Sequence, residues 1–223
     1  MMDSSLLFSI RLSFQVAAVA ELVAVPVGIF VAYILAIKQF KGKDIIDTIF
    51  TLPLVLPPTV IGYYLIVLLG RNGIIGKYLY EAMGFNIMFT WYAAAVASFC
   101  VSLPLMVKTT KAAIELIDKN LIEASYTLGH SEWTTAIRVT LPLAKRGILA
   151  GAILTFARAL GEFGATLMVA GNIPGKTTTV PLAIYTAMES GEYAKANILA
   201  LLFTVISGGS LYLANKYGGK AVK

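Results

Sequence analysis

The sequence predicts an all-α polytopic membrane protein with about five transmembrane helices, its N-terminus outside the cell and its C-terminus in the cytoplasm. Three observations carry this reading. Of 223 residues, 58% are hydrophobic and 13% charged, with a mean hydropathy of +0.79; soluble domains carry about 25% charged residues. Apolar runs recur that are long enough to cross a hydrocarbon core of about 30 Å, which takes about 20 helical residues. The lysines and arginines between those runs gather on one side. The length leaves no room for a large soluble domain, so residues 1–223 read as a single transmembrane domain.

The first apolar run covers about residues 6–37. It is longer than a bilayer needs, so it is tilted or partly interfacial. The second, about residues 45–69, contains Pro53, Pro57 and Pro58, each of which removes a backbone donor. Such breaks persist at membrane depth only where protein or a water-filled cavity covers the backbone. The three prolines are therefore expected to bend a helix that lines a translocation pathway, with a packed kink as the alternative. The third run, about residues 87–107, carries Trp91 and Tyr92 at its outer end, an aromatic anchor for the interface. The fourth covers about residues 148–170 and the fifth about residues 196–215. Residues 182–193, LAIYTAMESGEY, are too short and polar to span and read as interfacial or re-entrant.

Orientation follows from the basic residues. Lys38, Lys41, Lys43, Lys108, Lys111, Lys119, Arg138, Lys145, Arg146, Lys216, Lys220 and Lys223 fall on one side of a five-span arrangement. Arg71, Lys77, Lys176 and Lys195 fall on the other, and Arg11 and Arg158 lie within runs. The rich side is the cytoplasm. The net charge of +6 reflects these loops against anionic lipid and calls for no nucleic acid. The single cysteine, Cys100, excludes an intrachain disulfide. An acidic Asp3 and the absence of a basic leader region argue against a cleaved signal peptide.

Residues 171–177, GNIPGKT, look like a nucleotide-binding P-loop. That motif needs four residues between its glycines, a preceding strand, and free backbone N–H groups. Here three residues separate Gly171 from Gly175, and Pro174 removes a donor. The stretch also begins where the fourth run ends on the outer face. It reads as an external turn or as a lining of the outer mouth of a pathway.

Arg158 and Glu162 stand four apart in the fourth run, on one helical face. A charge at mid-bilayer costs about 2.5–3.5 kcal/mol on insertion scales, while an i,i+4 pair returns about 0.2–0.5 kcal/mol. Local pairing therefore does not account for them. They are expected to face a wet pathway or a subunit interface, or to join an interhelical network. Glu21, near the middle of the first run, is the expected partner of Arg158. His130, the only histidine, is expected to be solvated, and no cysteine–histidine cluster points to a metal. No internal repeat is visible.

The loop over about residues 109–145 is the one cytoplasmic segment large enough to dock a partner. Residues 121–128 read as a short helix ended by Gly129, and residues 133–139 as the start of a second, stopped by Pro142. Within it, EASYTLGHSEWTTAIRVTLP resembles the "EAA" loop of permease subunits of ATP-binding cassette importers. Glu123, Ala124, Gly129, Leu141 and Pro142 meet that pattern; Ser125 replaces its second alanine and Val139 its isoleucine. LPLVLPPTVIGYYLIVLLG, FARALGEFGATLMVAGNIPGKT and VPLAIYTAMESGEY are similar to the sulfate and molybdate branch of the family, and PGKT with PLAIYTAME favours its molybdate members. Glu21 departs from the small or apolar residue expected there.

The resemblance implies the type I importer permease fold, in a prokaryotic cytoplasmic (inner) membrane. It implies a homodimer with the pathway at the dimer interface and two cytoplasmic ATP-binding subunits that hold ATP and Mg. It also implies an external binding protein that delivers an oxyanion, molybdate or tungstate, with sulfate or thiosulfate as the alternative. It assigns this chain no catalytic residue and no cofactor, and gives Glu123, Ala124, Ser125, Gly129, Leu141 and Pro142 to coupling with the ATPase. An ion-coupled carrier or channel would use the intramembrane charges for proton coupling, and a scaffold would transport nothing.

Overall fold

The computed structural model describes residues 4–218; Asp3, Lys220 and Lys223 lie outside them. Helix α1, Ser4–Ile37, is continuous through Pro26. At 1.5 Å per residue its 34 residues extend about 51 Å, well beyond a hydrocarbon core of about 30 Å. With Ile37 at the cytoplasmic interface, Arg11 lies about 39 Å along the axis, past the far edge of that core. Arg11 is thus an outer-face residue and not an intramembrane one. The apolar run alone could not show this, because it does not mark where the bilayer begins.

The second run is not one helix. Helix α2, Lys43–Thr51, continues as a 3₁₀ turn over Leu52–Leu54, and α3, Pro58–Leu69, follows after a bend of 111°. Pro57 takes an extended ψ of 136° at the N-cap, and Pro58 opens α3, where a missing N–H costs nothing. A short outer helix, α4, Gly76–Met83, leads to α5, Trp91–Glu115. Thr90 caps α5 by accepting from the Ala93 N–H. The helix runs eight residues beyond the expected end at residue 107, into the cytoplasm.

Helix α5 is the centre of the bundle and packs on α1 and on α8. The crossings rely on missing side chains: a Cβ on Gly28 of α1 would sit 2.5 Å from Met106 Cγ. Gly147 of α8 meets Ala113 of α5 just as closely.

On the cytoplasmic side follow α6, Lys119–Thr127, and α7, Glu132–Thr135. A π-turn over Ala136–Thr140 then leads into α8, Leu141–Leu160. Helical structure is therefore continuous over Glu132–Leu160. Pro142 does not stop it: the widened turn before α8 has room for a proline ring and no need of its N–H.

The fourth run is itself broken at Gly161–Phe163 and restarts as α9, Gly164–Ala170. Helix α10, Val180–Glu189, is held to α1 by the Val180 N–H, which donates to Ser13 Oγ at 2.7 Å. At about 15 Å it is too short to cross. Helix α11, Tyr193–Gly218, closes the bundle and leaves Ile198, Leu201 and Val205 exposed along one flank. The described residues thus hold four helical segments able to span, or five with the bent α2–α3 pair.

This topology is open to direct labelling. In a Cys100→Ser background, Lys176→Cys should react with an impermeant thiol reagent in intact cells, and Leu128→Cys only after permeabilisation. The opposite pattern would reverse the orientation.

Candidate functional site

Two constructions stand out, one at the cytoplasmic end and one at membrane depth. The cytoplasmic one begins at α6, whose N-terminus is capped by Asp118 accepting from the Asn120 N–H at 2.9 Å. Its C-terminus closes in a Schellman motif. Gly129 has φ +81°, its N–H donates to the Tyr126 carbonyl, and the His130 N–H donates to the Ser125 carbonyl. Nothing lies within 4 Å of a Cβ built on Gly129, so glycine is required there by conformation and not by space.

Ser125 is buried, and its Oγ lies 2.9 Å from Thr135 Oγ1 and 3.2 Å from His130 Nδ1. The serine thus pins α6 to α7, which an alanine could not do. In the sequence Ser125 is a small replacement for the second alanine of the loop pattern, and His130 reads as a solvated side chain. The partners lie five and ten residues away, in a tertiary contact no spacing rule announces. Lys38 at the end of α1 pairs with Glu132 of α7 at 2.6 Å, and Asp47 of α2 accepts from Lys108 and Lys111 of α5. Around this braced turn an apolar surface faces outward: Leu128 is 77% and Trp133 67% exposed, with Leu121 and Tyr126 beside them. Glu123 and Ala124 are also exposed, while Leu141 and Pro142 stand apart at the start of α8.

At membrane depth the two helix breaks meet. A Cβ on Gly164, the first residue of α9, would sit 3.1 Å from Pro58 Cβ, and one on Gly62 of α3 would sit 2.6 Å from Met168 Cβ of α9. Pro57 and Pro58 form the corner against α9, and Pro53 lies in the 3₁₀ turn just before it.

Arg158 Nη1 donates to Glu162 Oε2 at 2.8 Å, and Glu162 Oε1 accepts from the Ala165 N–H at 2.8 Å. The Glu162 side chain is 1% exposed and that of Arg158 32%. Local pairing therefore does occur, against the expectation from helix energetics. The break frees N–H groups at the start of α9, so Glu162 gains a second partner that an unbroken helix could not offer. Glu21 is not the partner of Arg158: both its carboxyl oxygens are buried without a hydrogen bond.

The GNIPGKT stretch follows a helix, and no strand occurs among the described residues. Its backbone and the Asn172 and Thr177 side chains are engaged within the turn and with α10. Thr177 Oγ1 accepts from the Ile173 N–H, and the Lys176 and Thr177 N–H groups both donate to the Ile173 carbonyl. Asn172 donates to Thr186 Oγ1 and accepts from Thr178 Oγ1. No phosphate cradle is present in this turn.

Known proteins match most of this chain. The family model described as "binding-protein-dependent transport system inner membrane component" matches residues 24–215. The "molybdenum transport system permease protein ModB" of Haemophilus influenzae is 46% identical over 198 residues, covering 89% of this chain and 86% of that one. The Escherichia coli K12 protein of the same name is 43% identical over 203 residues, 89% of each chain. The "sulfate transport system permease protein CysW" of Synechococcus elongatus is 37% identical over 211 residues, 95% of this chain and 73% of that one. Among solved structures, a chain of the inward-facing MetNI methionine ABC transporter superposes with a TM-score of 0.76 at 16% identity, covering 100% of both chains. That likeness concerns the fold, which is that of type I importer permeases. With its spans, its loop signature and a family match over most of its length, the chain belongs to the binding-protein-dependent transport system inner membrane components, the permease family of ATP-binding cassette importers.

Proposed function

We propose that this chain is the permease subunit of an importer that moves an oxyanion, molybdate or tungstate, into the cell by ATP-driven alternating access. The observation that carries the reading is the braced cytoplasmic turn at Gly129 with its uncovered apolar surface. A motif held this firmly, yet leaving Leu128 and Trp133 in water, is suited to transmit force from a docked subunit. Glu123, Ala124, Ser125 and Gly129 form the docking turn, and Leu141 and Pro142 carry its movement into α8. The chain functions as a homodimer, with two ATP-binding subunits that hold ATP and Mg and an external binding protein that selects the anion. It contributes no ATPase residue and no cofactor of its own.

The pathway runs past the paired breaks. Pro53, Pro57 and Pro58 set the bend of α2 into α3, and irregular backbone at that depth suits a cavity wall. Arg158, anchored by Glu162, turns the exposed part of its guanidinium toward the anion. ATP-driven approach of the docked subunits shifts the coupling turns, and the spans exchange inward- and outward-facing packings.

The greater identity to the molybdenum proteins than to the sulfate protein favours molybdate over sulfate. Vesicles holding the purified complex with its binding protein should accumulate molybdate on ATP, without an ion gradient, and excess tungstate should compete better than sulfate. Uptake driven by a gradient alone would mark a carrier, and preferential competition by sulfate would move the substrate to the alternative.

A further inference from the structure

Five cations stand on the outer face among the described residues: Arg11, Arg71, Lys77, Lys176 and Lys195. Three are engaged. Arg71 donates to the Tyr80 hydroxyl and stacks on its ring, Lys77 faces Glu81, and Lys195 pairs with Glu192. The side chains of Arg11 and Lys176 have no hydrogen bond or ion pair among the described residues. These two share one cavity of about 360 Å³, which Gln15 and Trp91 also line.

Uncompensated positive charge on the outer face runs against the bias that set this protein's orientation. Two such charges in one concave site focus a positive potential on its interior. Arg11 and Gln15 are four residues apart, so their donors lie on one face of α1, one turn above the other. Lys176 lines the cavity from a turn fixed by Thr177 and Asn172, so the residue reaches the site at little cost in loop ordering. A planar guanidinium fork, an amide N–H₂ and an ammonium together match a compact tetrahedral oxyanion. The cavity has room for about twelve waters at about 30 Å³ each, enough for a partly hydrated anion.

We propose that Arg11, Gln15 and Lys176 form an anion-binding vestibule on the outer face, where a tetrahedral oxyanion pauses between release by the binding protein and entry to the pathway. The proposal rests on the reading of this chain as an oxyanion importer. It also gives a role to the GNIPGKT turn: it places a lysine for an external anion and no loop for a nucleotide. Holding must be weak enough for release, so the vestibule lacks a closed shell of donors.

The test uses the complete permease–ATPase complex in lipid nanodiscs, without the binding protein, dialysed against tungstate at low ionic strength. Retained tungsten is read by mass spectrometry. Retention should saturate, and Arg11→Gln or Lys176→Gln should each weaken it by about tenfold, the loss of one charge-assisted contact. Arg11→Lys should recover part of the loss, and Lys77→Gln should behave as wild type. Retention that does not saturate, or that Lys77→Gln lowers equally, would overturn the vestibule. So would a result in which Arg11→Gln and Lys176→Gln weaken capture of the binding protein and leave tungstate retention unchanged, since the cations would then serve protein docking. ATP-driven uptake by the wild-type complex, measured separately in vesicles with its binding protein, separates the two readings. Uptake without saturable retention sinks the vestibule alone, whereas saturable retention without any uptake supports the vestibule and sinks the importer reading.

Discussion

Arg158→Gln is expected to cost most of the assembled complex, not merely to slow it. Glu162 is almost fully enclosed, and Arg158 is its only cation within ion-pair reach among the described residues. Without it the carboxylate keeps the Ala165 N–H but loses its counter-charge. Removing one member of a buried pair costs about 3–5 kcal/mol, a large share of a total stability of about 5–15 kcal/mol. The reverse change is milder. A glutamine at position 162 can still accept from Ala165, and Arg158, about a third exposed, can turn to water. The double change Arg158→Gln with Glu162→Gln removes both charges and should restore yield. If Arg158 also faces the anion, the double variant should assemble and yet fail to import. The measurements are recovery of monodisperse complex, its thermal unfolding, and ATP-driven uptake for all three variants. Wild-type yield from Arg158→Gln alone would show that the pair does not hold the break.

Much of this architecture could be read from the chain, because bilayer thickness forces long apolar runs and the loops carry a charge bias. The bend at Pro57 and Pro58 was legible for the same reason, since proline advertises a missing donor. The break at Gly161–Phe163 was not, although its residues are as informative. Gly161 and Gly164 flank Glu162, which lies three residues before the N–H it caps. That is the pattern of a helix start, but it sits inside an apolar run that reads as one continuous span. Treating Arg158 and Glu162 as a pair on an intact helix then undercounted the partners of Glu162. Glu21 was matched to Arg158 by charge and approximate depth alone, and depth says nothing about rotation around the helix axis. The Ser125–Thr135 contact was hidden for another reason. The residues lie on separate short helices, and only the Schellman turn brings them together.

Gly129→Val is expected to separate ATP hydrolysis from transport. The site has ample space, so the penalty comes from the backbone. A left-handed residue costs about 1–2 kcal/mol with any Cβ, and a β-branched side chain resists it further. A penalty of that size shifts the population of the capped turn by a factor of about 5–30. Two hydrogen bonds go with the cap, from Gly129 to Tyr126 and from His130 to Ser125. His130 then leaves Ser125, and the joint between α6 and α7 rests on the Thr135 hydroxyl alone. Leu128, the most exposed apolar residue of the turn, is displaced with it. Apart from Thr135, which begins the segment leading into α8, these residues lie outside the spanning helices, so insertion and dimer yield should be unchanged. In proteoliposomes with the partner subunits, hydrolysis should continue while anion imported per ATP falls by about the same factor as the capped population. Asparagine tolerates the left-handed region better than other residues with a Cβ, so Gly129→Asn should remain close to wild type and Gly129→Ala should fall between. That ordering is the discriminating result. If asparagine proves as damaging as valine, the partner needs a bare surface at this position and the conformational argument fails. Wild-type transport per ATP in Gly129→Val would remove the turn from the coupling path altogether.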